Sequence, residues 1–188
     1  MINIRTICLS TSILFLLTAC STVSPSNSLR SATSCIGSIL PTPPGLVVTT
    51  DTELLQQALG APGEGKLCQG QVMIAEAPVL VYRVWDQAKP YSLYGSWWSF
   101  EKPLTQREQY RRDNAICPEW SALDIVSVCQ IKIGSKLVIG TGQSADCQGD
   151  IDLPTSPVNQ VYLPNHQQQN QIQVEQCSLG EPWPESAK

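Results

Sequence analysis

The sequence predicts an α+β fold: a single compact domain, mainly antiparallel sheet with about two helices, stapled by disulfides. Three observations predict it. Short β-branched or alternating runs recur through the chain, with turn residues between them. Two Thr-x-x-Glu steps, Thr50 to Glu53 and Thr105 to Glu108, each stand at the head of a helical pattern. Six cysteines lie between positions 35 and 177 of a chain whose start reads as an export signal. The chain has 188 residues, 42% of them hydrophobic, which suits one core and excludes two sizeable domains.

The elements follow in order. Residues 36–45 are Pro-rich and irregular. Leu46 to Thr49 is a short strand. Thr50 caps a helix whose Leu54, Leu55, Ala58 and Leu59 share one face, and Gly60 closes it. Val79 to Trp85 is the strongest strand signal, bounded by Pro78 and Asp86. Ser96 to Phe100 is aromatic and extended. Thr105 caps a second helix from Gln106 to about Asn114. Ile125 to Ile133 is a strand that Gly134-Ser135 turns into a partner strand, Lys136 to Ile139. Val158 to Leu163 and Gln171 to Cys177 are two more strands. The globular domain is read as residues 35–180, with 181–188 as a loose tail.

Charge and motif tests exclude several functions. The net charge of −4, without a basic stripe, argues against nucleic acid. One His rules out a His-rich metal site. Gly60 to Lys66 copies seven positions of a P-loop, but Leu67 stands where the Mg²⁺-binding hydroxyl belongs. Gly142-Gln143-Ser144-Ala145-Asp146 resembles a nucleophile elbow with Asp in place of the last Gly. Its only His partner would be His166, in a polar loop. Asp150 and Asp152 lack EF-hand spacing.

Residues 1–19 carry one charge, Arg5, and an apolar run from Ile13 to Leu17. A bilayer span needs about 20 apolar residues, so this is a secretory signal rather than a membrane helix. Leu17-Thr18-Ala19-Cys20 resembles the lipobox of bacterial lipoproteins. The resemblance implies cleavage before Cys20, acylation of that residue, and attachment to the bilayer surface through its lipid. Each buried CH₂ contributes about 0.8 kcal/mol, and more than one chain makes attachment stable. Ser21 at the next position implies the outer membrane if the source is Gram-negative. Residues 20–34, rich in Ser and Thr, read as the lipidated Cys and a flexible tether. Export places Cys35, Cys68, Cys117, Cys129, Cys147 and Cys177 where disulfides persist. None of them forms a C-x-x-C pair, so three structural bridges are expected, with their pairing left open among fifteen arrangements.

Seven of the twelve aromatic residues fall between Tyr82 and Phe100. They read either as core or as a cleft wall that stacks on a planar ring, with Arg83 beside it to meet an anion. The order Tyr82-Arg83, then Gly95 to Ser99, then Tyr110-Arg111, Lys136 to Gly140 and Asn159-Gln160 resembles the ADP-ribosyltransferase fold, especially its small secreted toxins and related NAD glycohydrolases. The resemblance spans about Val79 to Leu163. It implies NAD as substrate and no bound cofactor. It gives Arg83 contact with NAD, assigns Trp98 and Ser99 to orienting the nicotinamide, and puts Gln160 near the scissile bond. Arg-modifying transferases carry Glu-x-Glu where this chain has Val158 and Gln160, so the implied chemistry is NAD hydrolysis. The two expectations are therefore a membrane-tethered enzyme of this type and a non-catalytic envelope lipoprotein that binds a protein. The expected partner is an envelope protein or, by the toxin resemblance, an immunity protein.

Overall fold

Alternation along the strands sets the architecture. In this computed structural model the described residues are 35–104, 106–149 and 151–184. The signal segment, Cys20 with the tether, the expected cap Thr105, Asp150 and residues 185–188 lie outside them. Eleven short strands are seen among the described residues. They are β1 Leu46–Val48, β2 Gln71–Ala75, β3 Val79–Trp85, β4 Trp97–Trp98, β5 Ile125–Ile131 and β6 Lys136–Gly142. Then come β7 Ala145–Cys147, β8 Ile151–Leu153, β9 Ser156–Tyr162, β10 Val174–Glu175 and β11 Glu181–Pro182. The helices are α1 Thr52–Ala58 and α2 Arg107–Asn114. The predicted α+β class, antiparallel sheet with two helices and three disulfides, is what the structure shows.

One sheet runs β1-β2-β6-β9-β4. In a second, β3 lines one edge of β5, and β10 and β11 share the opposite edge; β7 and β8 form a separate two-stranded sheet. All these pairings are antiparallel. Leu137, Ile139 and Val161 of the first sheet share a core with Val81, Cys129 and Ile131 of the second. Because side chains alternate between faces, Val138 and Tyr162 point the other way, where Leu54 and Ala58 of α1 cover them. On the second sheet Tyr110 of α2 packs on Val84 and Val126.

Four expectations are corrected. First, β5 and β6 are not hairpin partners. Each belongs to a different sheet, and residues 132–135 form a corner that brings Ile131 and Leu137 into one core. Inter-sheet burial outweighs the local pairing that a short turn suggests. Second, Asp51, not Thr50, caps α1: its carboxylate accepts from the Leu54 N–H at 3.0 Å. It also accepts from Lys136 Nζ at 2.9 Å, and these two bonds, the Lys136 one first, hold its carboxyl below its ordinary range. Third, Gln171 to Cys177 shortens to the two residues of β10. Fourth, the tail is not loose up to Pro184. Glu181 and Pro182 pair with β5, and Trp183 is buried against Tyr110 with ring centroids 5.1 Å apart. A Trp buries a large apolar area when a hole exists for it, and its Nε1 donates to Pro103 O at 2.9 Å.

The six cysteines form three bridges: Cys35–Cys68, Cys117–Cys147 and Cys129–Cys177. The first ties the start of the domain to the segment before β2. The second ties the exit of α2 to β7. The third ties β5 to the segment after β10. Each contributes about 2–4 kcal/mol.

Candidate functional site

Strand β4 organises the aromatic cluster. Trp97 turns outward onto Tyr162, with centroids 5.0 Å apart. Trp98 turns into the core and is only 2% exposed. The next residue, Ser99, leaves the first sheet and joins the second. Its N–H donates to Tyr82 O at 2.9 Å, and the Tyr82 N–H donates to Ser99 O at 2.7 Å. The two sheets therefore meet at this seam. The Ser99 hydroxyl donates to Glu101 O at 2.9 Å.

Arg83 lies beside the seam, on the same face of β3 as the buried Val81. Its Nε donates to Ser92 O at 2.6 Å and its Nη1 to Trp97 O at 2.5 Å. The guanidinium carbon is 5.9 Å from the Trp98 ring centroid, a cation–π distance. Burial lowers its pKa to about 10, with Tyr110 acting in the opposite sense, so it remains a cation at neutral pH. Among the described residues no carboxylate lies within ion-pair distance of it. Gly95 packs directly under Nη2, and any side chain there would collide with the guanidinium. Two donors pin this turn: Trp98 Nε1 and Asn165 Nδ2 reach Gly95 O at 2.8 and 3.1 Å. A cavity of about 340 Å³ opens over Arg83 and Gly95, walled by Tyr91, Tyr94 and His166.

Gln160 lies elsewhere. It stands opposite Gly140, one residue from Val161, which points into the core beside Trp98. Alternation puts the Gln160 side chain on the other face, with Tyr162. It is 5% exposed, and its Nε2 donates to Asn114 O at 3.2 Å. So the structure gathers Arg83, Trp98 and Ser99 along one seam and does not bring Gln160 to them. The expected four-residue cleft is not formed, because the core needs Val161 inward and the register then sends Gln160 outward. Trp98 also fills core rather than lining an open wall.

The remaining motifs resolve as packing. The Gly60–Lys66 loop lies against residues 142–146: the Gly63 N–H donates to Ser144 Oγ at 3.0 Å and the Gly65 N–H to Ser144 O at 2.7 Å. The Ser144 hydroxyl in turn donates to Gln143 Oε1 at 3.3 Å, so it serves the loop. Cys117, Glu119 and Cys147 cluster, but both sulfurs belong to a disulfide and are not free ligands.

A second concavity has no counterpart in the sequence reading. A groove of about 510 Å³ runs beside Phe100, Leu104, Tyr110 and Val158, with Leu40 at its edge. Leu104 is 92% exposed, and Leu40 and Val158 are also exposed. Burial pushes the Tyr110 hydroxyl up to about 12, partly countered by Arg83. Leu40 and Leu104 stand among Pro and polar neighbours outside any periodic face, and Val158 is an apolar residue on the exposed side of β9.

No family model matches the chain, and no curated protein matches it. One solved structure, described as Tne2 in complex with Tni2, aligns with a TM-score of 0.46 and 12% identity, over 61% of this chain and 92% of that chain. A likeness at that level carries no argument here.

Proposed function

We propose that this protein is an exported, lipid-anchored and cystine-braced domain that binds a protein partner at the cell envelope and performs no catalysis. One observation carries the binding reading: the groove beside Tyr110 leaves Leu104, Leu40 and Val158 in water. Contiguous apolar surface left in water marks contact surfaces, and these three side chains line one groove. The anchor rests on Leu17 to Cys20 and the tether on residues 20–34, with Ser21 directing the protein to the outer membrane in a Gram-negative source. The NAD-cleaving alternative needs Arg83 and Gln160 on one cleft, and the geometry of β9 speaks against it.

The test is site-specific photo-crosslinking of the anchored full-length protein in its own envelope. A crosslinker at position 104 should give one discrete protein adduct, and Val158→Asp should suppress it. A crosslinker at Leu179, exposed but outside the groove, should not give it. Equal adducts from both positions, or none from position 104, would overturn the proposal. Nicotinamide release from NAD by the oxidised domain, lost in Arg83→Ala and in Gln160→Ala, would restore the enzyme reading.

A further inference from the structure

We infer that the cavity over Arg83 binds a small organic molecule bearing an oxyanion, a carboxylate or a phosphate ester on a flat apolar body. The inference goes beyond the protein-binding groove and rests on different residues.

A guanidinium carries five N–H donors. Two backbone carbonyls, Ser92 O and Trp97 O, engage Nε and Nη1 of Arg83. Among the described residues nothing accepts from Nη2, which lies against Gly95 at the wall of the cavity. Arg83 is half-buried and lines the cavity; even partial desolvation of a cation without an anion is costly, and bracing two carbonyls does not require a charge. The same protein shows the cheaper solution at Gln160, where a neutral carboxamide holds the Asn114 carbonyl. A permanent charge at Arg83 is therefore explained by something that completes it, and a guanidinium edge matches the paired oxygens of a carboxylate or phosphate.

The walls indicate the rest of the ligand. Tyr91, 66% exposed, and Tyr94 offer ring surface beside the cation. Asn165 is fixed at both ends of its amide: Nδ2 on Gly95 O, and Oδ1 accepting from the Gln173 N–H at 2.7 Å. That wall is preformed. The volume is at the small end of ligand pockets, which run from about 300 Å³ upward. The larger polar hollow between Asp51 and Gln173 offers no such mismatch, because its Lys136 is already paired with Asp51.

The experiment is titration calorimetry of the oxidised, lipid-free domain with benzoate, phenyl phosphate and neutral benzyl alcohol. At least one anion should bind at least about tenfold more tightly than benzyl alcohol. The stronger of the two arms identifies the oxyanion. Arg83→Lys keeps the charge, loses the fork, and should weaken binding about tenfold. Tyr91→Ala removes an exposed rim ring and should weaken it several-fold. Leu104→Asp, in the other concavity, should leave it unchanged. If Arg83→Lys does not fold, Tyr91→Ala decides. No anion binding at about millimolar concentration, equal binding of benzyl alcohol, or indifference to Tyr91→Ala would overturn the inference.

Discussion

Two concavities flank strand β4, and they differ in kind. Residues 91–95 before it help wall a cavity of aromatic rings and polar groups around a cation. Residues 99–104 after it help wall an apolar groove with a leucine in water. Both draw on the same aromatic-rich stretch. The lesson is that this stretch is a partition, not one binding wall. Trp97 faces out, Trp98 faces in, and Ser99 changes sheets. A cluster that looks continuous along the chain is thereby distributed over separate surfaces. Gln160 shows the same rule: one residue from Val161, it belongs to the other face.

The largest expected effect comes from removing the partition. Trp98→Ala should cost about 3–5 kcal/mol in denaturant unfolding of the oxidised domain, since it opens a cavity in the shared core. A loss below about 1 kcal/mol would mean that the residue is not the divider its burial indicates.

Arg83→Ala comes next, at about 2–3 kcal/mol, because the Ser92 and Trp97 carbonyls lose their partners. Gln160→Ala should cost less, about 1–2 kcal/mol, for one orphaned carbonyl. Reversal of that order would break the contrast between a charged brace and a neutral one.

Alkaline titration sharpens the comparison further. The Tyr110 hydroxyl is raised from 10.0 to about 12. Its contribution is complete below pH 10 and is lost as pH rises towards 12, because the unfolded chain ionises first. Burial moves the Arg83 guanidinium in the opposite direction, downward. Wild type should therefore lose stability relative to Tyr110→Phe between pH 10 and 12, read from denaturant midpoints. A constant difference across that range would contradict the burial assigned to the hydroxyl.

The smallest effect is at the groove rim. Leu104→Asp should change stability by no more than about 0.5 kcal/mol, since the side chain touches water rather than core. A large loss would show that Leu104 packs within the fold and is not available to a partner.

Much of the framework was legible in the residues. The β-branched runs at 79–85 and 125–133 became β3 and β5, the second ending two residues early at Ile131. The helix expected from Gln106 to Asn114 is α2, one residue shorter. The even cysteine count matched three bridges. The site was less legible. Arg83, Trp98 and Ser99 do lie together, Trp98 as core, and Gln160 is apart. Pro182 and Pro184 suggest irregularity in the tail, which the β11 pairing and the burial of Trp183 overrule. The hole that Trp183 fills is made by Tyr110 and Val84, whose proximity no local pattern announces.

Sequence alone determined the features that depend on near neighbours: strand and helix propensity, the spacing of apolar residues, the number of cysteines available for bridging. Tertiary structure decided what depends on register and on partners far along the chain. It chose which cysteines meet and sent β5 and β6 to different sheets. It buried a Trp near the end of the chain and gave Arg83 two carbonyls and, among the described residues, no anion. The physical reason is that a strand's pattern specifies two faces but not what each will meet. Only the packing of one sheet on another selects which face is core and which is left to bind.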